Sequence, residues 1–361
     1  MIKLLTYPDI DPQQWSELVQ SSPTATWFQT KEAYEFYAVI GTELLPFAFG
    51  VEEYEGDEAM RRSGDQANGR LKGVIVGYVT KERNALKQFF TRRAIIIGGP
   101  VLAENISDEA LGALLSAVAQ CPASRLIASS PHRLIKPIYI ETRNFHDYSR
   151  WKEVFKRAGF NYQKHLDYHI NTTSIELAQR NIGKHRWRYI RLSMRDGAQI
   201  VQQPTIEQVR AFYTILQDLY RTKVRTPLWS WDFFERLYHT EHARYILVEL
   251  DGQIVGGTAC VCLPGKAVYE WYACGLDNCR DDIRPLSVAI WGEMQYAAEN
   301  GYPLFDFMGA GTPDQPYGVR DFKSEFGGEL VEHGRFLCIR KPLLYWIGKM
   351  GVKWLKRRIN K

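Results

Sequence analysis

No stretch of the chain approaches the roughly 18 consecutive apolar residues of a membrane-spanning helix. No apolar run follows Met1-Ile2-Lys3 either, so no signal peptide is expected and the cytoplasm is the expected address. The six cysteines lack the paired spacing of a zinc site. Cys260 and Cys262 instead fall on one side of an expected strand, as buried thiols do. The eight histidines have no ligand spacing, so no metal is expected. With no Ser-His-Asp or Cys-His order, a covalent mechanism has no candidate nucleophile. Acidic residues are missing from 340 to 361, where eight basic groups stand: Arg340, Lys341, Lys349, Lys353, Lys356, Arg357, Arg358 and Lys361. Without that tail, 38 basic groups face 41 acidic ones, a body of about −3 against a whole-chain charge of +5. The tail makes the chain basic.

What is present is ample for a folded protein. The 361 residues are 45% hydrophobic and 24% charged, the balance of a soluble globular chain of about two domains. Aromatics, at 13%, suit large cores or a ligand cleft. The patterns predict helices at 12–19, 31–40, 107–120 and 151–158 in the first half. Strands are expected there at 46–53, 71–80, 94–97, 126–129, 136–142 and 165–171, with a polar hairpin loop at 55–69. In the second half, helices are expected at 174–195, 205–221, 230–239, 285–300 and 319–326. Its strands are 244–250 and 253–263, joined by an Asp251-Gly252 turn, then 267–275, 304–308 and 332–339. The two halves share an order of elements. Each ends in a long helix, a strand, a short Phe-Lys helix stopped by glycine (Phe155-Lys156 and Phe322-Lys323), and a last strand. This reads as a duplication of whole-domain size. The expected domains are 1–172 and 173–340, followed by a basic helix at 341–361.

The richest stretch is 304–328. Asp306 stands in a short apolar strand. Gly309, Gly311, Pro313, Pro316 and Gly318 then rule out regular structure, and a short helix stops at Gly327-Gly328. Lys323 is thereby pinned beside a glycine-floored loop, a place suited to anionic groups or, equally, a lysine capping its own turn. Asp306 is placed either to accept a proton or to bond the loop amides. Glu270 and Tyr272 are expected on one face of the preceding strand, as core or as cleft wall. Lys184, Arg188, Arg191 and Arg195 form one helical stripe, with Trp187, Ile190 and Met194 as its apolar neighbour. Four like charges on one stripe are stabilised by phosphate, whether of a nucleotide or of tRNA, and are otherwise a solvated face. Arg225 is a second phosphate candidate. In the tail, Leu343, Ile347, Met350 and Trp354 line one helical side with a cationic rim, the pattern of an interfacial helix or of one docked on its own domain.

Arg188-Tyr-Ile-Arg191, the strand around Asp306, and Gly318-Val-Arg-Asp-Phe-Lys-Ser-Glu-Phe-Gly-Gly328 resemble the FemAB-like transferases. Phe28-Gln29-Thr30 and Gly98-Gly99-Pro100 add to the likeness. The resemblance implies an α/β (α+β type) fold of two tandem GNAT-like domains, each a mixed sheet flanked by helices. It also implies transfer of an amino acid from aminoacyl-tRNA to an amine of a lipid-linked or nucleotide-linked peptidoglycan precursor, with no cofactor. Lys323 matches the lysine of the family's Phe-Lys motif, expected at the acyl donor, and Tyr317, Arg320 and Phe322 lie beside it as expected binding residues. A Lys323→Ala chain is expected to lose transfer at a stability cost within about 0.5 kcal/mol. Two departures are visible. Asp277 to Ser287 lacks the glycine turn that cradles the pyrophosphate of acetyl-CoA, and no helical arm fits between Ile200 and Arg244. An N-acyltransferase using acyl-CoA or acyl carrier protein is the second reading, and an inert binder of nucleic acid or membrane the third. For the transferase, the inner face of the cell membrane is a further address, through the tail.

Overall fold

The structure, a computed structural model, describes residues 1–41, 43–54, 69–81, 92–120, 136–277 and 279–359, with 351–359 by backbone alone. The expected strand at 126–129 and nearly all of the expected 55–69 loop lie outside these residues. The chain divides into two compact units, Met1–Lys164 with His333–Lys361, and His165–Glu332. The first holds strands β1 (Ile2–Thr6), β2 (Leu44–Glu53), β3 (Arg70–Thr80), β4 (Arg93–Gly98), β5 (Val101–Leu102), β6 (Tyr139–Asn144), β7 (Asn161–Gln163) and β15 (Arg335–Ile339). The second holds β8 (Asp167–Asn171), β9 (Gln199–Val201), β10 (Ala243–Leu250), β11 (Gln253–Leu263), β12 (Ala267–Gly275), β13 (Leu304–Asp306) and β14 (Glu329–Val331).

The sheet orders are β1-β2-β3-β4-β6-β15-β7 and β9-β10-β11-β12-β13-β8-β14. Each sheet is mixed, with one parallel pair (β4 with β6, β12 with β13) among antiparallel neighbours. Position by position the orders correspond, with β15 in the first sheet where β8 stands in the second. The division therefore differs from the expected boundaries at 172 and 340. The strand expected to close the first half lies in the second sheet, and the one expected to close the second half lies in the first. Packing explains it. Phe336 of β15 stacks on Phe155 at 3.9 Å within the first core, while Tyr168 and Ile170 of β8 belong to the second.

In the first unit, Gln29 fills the gap between β3 and β4, which pair only at Tyr78 with Ile95 and Val79 with Ala94. Its amide accepts from Val76 N and donates to Val76 O and Ile97 O. Gln29 of Phe28-Gln29-Thr30 is thus part of the sheet's own bonding, while Thr30 caps the following helix at Ala33 N. Gly98 and Gly99, at φ +83° and +78°, make a turn roofed by Tyr148, whose hydroxyl donates to Pro100 O at 2.6 Å.

In the second unit, helix Pro285–Glu299 covers one sheet face, burying Val288, Ile290, Trp291 and Met294 against Ile246, Val248, Cys260, Cys262 and Val268. Helices Ile206–Leu219, started by a Thr205–Gln208 capping box, and Trp231–Tyr238 cover the other. Asp251 and Gly252, at φ 51° and 76°, form the tight turn of the β10–β11 hairpin. The helix expected over 174–195 is two helices, Ile175–Asn181 and Lys184–Arg195. The break is at Gly183, whose N–H donates to Glu325 O at 2.8 Å and leaves little room for a side chain.

Candidate active site

β12 and β13 pair in parallel over Ala267–Leu304, Val268–Phe305 and Tyr269–Asp306, and there β13 ends. In the first unit the equivalent pair β4–β6 stays closed through Gly98–Asn144. Beyond Tyr269, therefore, one edge of β12 has no strand beside it among the described residues. On its other edge the register with β11 slips, pairing Cys260 with Glu270 and Ala259 with Tyr272, so Trp271 is the extra residue of a β-bulge. The bulge corrects the expectation that Glu270 and Tyr272 share a face. Glu270 turns to the side of helix Pro285–Glu299. Tyr272 turns to the other, its ring 5.0 Å from Phe234 and 6.4 Å from Tyr220.

The chain leaves β13 through Met308, at φ 57°, and Gly309, at φ 132°. For methionine that left-handed backbone costs on the order of 1 kcal/mol, and two buried carboxylates hold it. Asp306 Oδ1 accepts from Met308 N at 2.6 Å, and Asp167 Oδ1 accepts from Gly309 N and Tyr168 N, both at 2.7 Å. Asp306 Oδ2 lies 3.3 Å from His169 Nε2. Asp306 thus bonds one loop amide, that of Met308, and Asp167 bonds the next. Asp167, His169 and Asp306 each bring a ligand-capable atom within 4.8 Å of the others, the one such set of described residues inside this unit.

Lys323 projects inward from helix Gly318–Ser324 with its side chain 12% exposed. Its ammonium donates to Phe307 O at 2.7 Å and Gly309 O at 2.9 Å and stands 3.8 Å from Glu270 Oε1. An ammonium has three N–H groups, so one is left on the Glu270 side. It is therefore no solvated surface lysine, although Lys156 of the first Phe-Lys copy is, paired with Glu153 in solvent.

Burial pushes the Glu270 carboxyl up to about 7, with Lys323 opposing and Asp306 adding to the rise. Its Oε2 is buried with no hydrogen-bond partner. Burial, then the charge of Asp306, push Asp167 well above the carboxylate range. Burial acts on Asp306 too, but the His169 hydrogen bond and charge and the Met308 N–H outweigh it and hold Asp306 low. The two aspartates are thus pushed in opposite directions, Asp167 toward its neutral form and Asp306 toward its charged one. Behind Glu270, fully buried Glu293 is raised by burial and then by the charge of Glu270.

Lys323, Asp306 and Glu270 are thus brought together, and the remaining candidates are not. The Arg320 guanidinium is committed to Thr312 O at 2.8 Å and Gln315 O at 2.6 Å, fastening the loop. Phe322 lies under the Arg186 guanidinium at 4.6 Å, and Tyr317 covers Gly311 while 42% exposed. Lys184, Arg188 and Arg191 are exposed on the outer side of their helix, and Arg195 pairs with Asp196. Trp187 and Ile190 face the core as expected, whereas Met194 is exposed. Arg225 is exposed, its Nε donating to Thr222 O.

Asp167, His169, Glu293 and Arg186 were missed. Asp167 and His169 alternate with core residues Tyr168 and Ile170, and Glu293 is a lone acid in an otherwise apolar helix segment. Both signals were readable. Arg186 donates to Ser287 Oγ at 2.7 Å and pairs with Glu325 at 3.0 Å, tying three helices together.

Residues 180–324 match the family model described as an acetyltransferase (GNAT) domain. No curated protein matches the chain. Among solved structures, FemX is similar with a TM-score of 0.65 at 16% identity, over 96% of this chain and 99% of FemX. The C-terminal domain of a putative lysylphosphatidylglycerol synthetase from Agrobacterium fabrum follows with 0.54 at 12%, over 94% and 96%. A tandem GNAT protein from the clavulanic acid biosynthesis pathway gives 0.52 at 9%, over 93% and 98%. At these identities the likeness is one of fold, and it spans nearly the whole of each chain.

Proposed function

We propose, from the premise that this chain is an acyltransferase of FemAB-like tandem GNAT architecture, that it moves an amino acid from aminoacyl-tRNA to an amine of a peptidoglycan precursor. The observation that carries this reading is the Lys323–Glu270 pair beside the open edge of β12. Aminolysis of an ester needs a proton acceptor effective near neutrality and positive charge where the oxyanion forms. Glu270, raised to about 7, suits the first need. The remaining Lys323 N–H suits the second. The amine nitrogen attacks the ester carbonyl and passes its proton to Glu270. The carbon–oxygen bond to the ribose then breaks, and that oxygen takes the proton from Glu270. Asp306 and Asp167 act as positioning residues, fixing the loop whose carbonyls hold Lys323.

The exposed Lys184, Arg188, Arg191 and Arg225 support a phosphate-rich donor such as tRNA. The acceptor is a lipid-linked or nucleotide-linked precursor, and the site of action the cytoplasm at the inner face of the cell membrane. The match to an acetyltransferase model favours one other reading, transfer from acyl-CoA or an acyl carrier protein. Against CoA, Arg284 N at the start of helix Pro285–Glu299 is already bonded to Ser193 Oγ at 2.9 Å, with no glycine turn before it.

The deciding experiment offers the purified chain charged tRNA and acetyl- or longer acyl-CoA side by side, at low and high salt. Salt-sensitive tRNA binding followed by transfer is the expected result. CoA turnover with tRNA ignored would replace this reading with the acyl-CoA one. Turnover of carrier-protein thioesters alone would move the donor there, and patch-dependent binding with no turnover of any donor would make the chain an inert binder.

A further inference from the structure

We infer that the outer face of the C-terminal helix Pro342–Ile359 docks on an anionic lipid bilayer. The helix is anchored at its start, where Arg340 N and Lys341 N donate to Ile138 O at 2.8 and 3.0 Å. One side turns inward. Leu344, Tyr345 and Gly348 are half-buried, and the Tyr345 ring meets Tyr139 edge-on at 5.4 Å. The other side presents Leu343, Trp346, Ile347 and Met350, which are 74%, 55%, 41% and 64% exposed. These positions recur at helical spacing, so they form one stripe. Trp346, which the sequence pattern did not single out, lies in its middle, with the Lys349 ammonium 5.3 Å from its ring.

Among the described side chains, the helix rests on its own unit through Leu344 and Tyr345 and still leaves Leu343, Trp346, Ile347 and Met350 outside. A contiguous exposed apolar stripe asks for a partner. Charge selects which one. From Arg340 onward the chain carries eight basic groups and no acid. A second copy of such a helix would bring like charge against like charge. A nucleic acid would satisfy the cations but leave Leu343, Ile347 and Met350 in water. An anionic bilayer satisfies both, with tryptophan at headgroup depth and lysine stems reaching to the phosphates. No described helix is long and apolar enough to cross a membrane, so this one would lie on the surface.

The test is flotation of the full chain with vesicles of phosphatidylglycerol and, separately, of phosphatidylcholine. The chain should float with the first, more weakly at high salt, and stay behind with the second. Binding should fall about tenfold or more in the Leu343→Ser, Trp346→Ser, Ile347→Ser chain. Those side chains are exposed, so its unfolding midpoint should match the parent's. The inference is overturned if the parent chain does not float with phosphatidylglycerol, or if the triple variant floats equally well. Self-association or RNA binding that the triple variant loses, without vesicle binding by the parent, would give the face to a second copy or to RNA and overturn it too. Vesicle binding is read without any donor or acceptor, so this inference and the transferase reading fail independently.

Discussion

The Lys323 ammonium and the Glu270 carboxylate stand 3.8 Å apart, both nearly withdrawn from solvent, across the point where β12 loses its parallel neighbour. Neither is locked to the other. Lys323 makes its short bonds to the carbonyls of Phe307 and Gly309, and Glu270 keeps one oxygen unbonded. A tight ion pair would have lowered the glutamate into the ordinary carboxylate range. This looser one leaves it near neutrality, where a carboxylate can both take and return a proton.

Lys323→Ala should abolish transfer, with a loss of about a hundredfold or more. It should also destabilise the second unit by about 1–3 kcal/mol, because two partly buried carbonyls lose a charged donor. This revises the smaller cost expected from sequence, which rested on the glycine-rich loop beside the lysine. Urea unfolding and single-turnover transfer measured on the same preparation check both parts. Full activity in that variant would remove Lys323 from the mechanism.

Glu270→Gln should remove the pH dependence assigned to Glu270. In the parent chain, transfer should rise with pH through about 7 and then level off, since the base must be ionised. In the glutamine chain the limb should vanish along with most of the rate. Stability should run the other way. The folded chain holds the Glu270 proton to a higher pH than the unfolded chain does. This group therefore stabilises below the ordinary carboxyl value of 4.5, and that contribution is lost as pH rises toward about 7. Glutamine has no proton to lose, so its advantage over the parent should grow across that window. A pH–rate profile unchanged in Glu270→Gln would point to another base.

Much of this site was legible, and what was not had physical causes. The glycines and prolines of 309–318 marked the loop, and the Gly327-Gly328 stop placed Lys323 beside it. The structure adds why that stop is glycine. A side chain at Gly327 would meet Asn181 O, and one at Gly328 would meet His169 O. The duplication was legible as an order of elements. The bulge at Trp271 was not, because Glu270-Trp271-Tyr272 reads as uninterrupted alternation and the slip exists only in the pairing with β11. Asp167 and His169 were seen only as part of a strand, since their partner Asp306 lies far along the chain. The exchange of β8 and β15 between sheets was hidden for the same reason: local pattern predicts a strand, not its neighbour.

Asp167 and Asp306 should respond oppositely to pH. Asp167 is held protonated above its ordinary range, so the stability it lends falls as pH rises above that range. Asp306 is held ionised below its ordinary range, so its contribution is lost as pH falls through its folded value. Asp167→Asn keeps an acceptor for Gly309 N and should cost no more than about 1 kcal/mol near pH 7. Asp306→Asn loses the charge facing His169 and should cost about 3 kcal/mol. Denaturant titrations of both variants across pH would show it, and equal costs with the same pH dependence would overturn the opposite shifts.

The placement of β15 in the first sheet makes Phe336 the sharpest probe of how the chain is divided. It is buried, stacks on Phe155 at 3.9 Å, and meets Tyr162 of β7 at 5.4 Å. Its strand pairs with β6 on one side and β7 on the other. Phe336→Ala leaves a cavity between these elements and should cost about 3–5 kcal/mol. The damage should be local to the first unit. Amide exchange should speed up at 139–144 and 161–163, which lose their common neighbour, while the β8–β13 ladder at 169–171 and 304–306 keeps its protection. Chain order alone predicts the reverse, because Phe336 follows the Lys323 helix and would close the second domain. Loosening at 304–306 with 139–144 still protected would return β15 to the second unit and undo the correspondence between the two sheets.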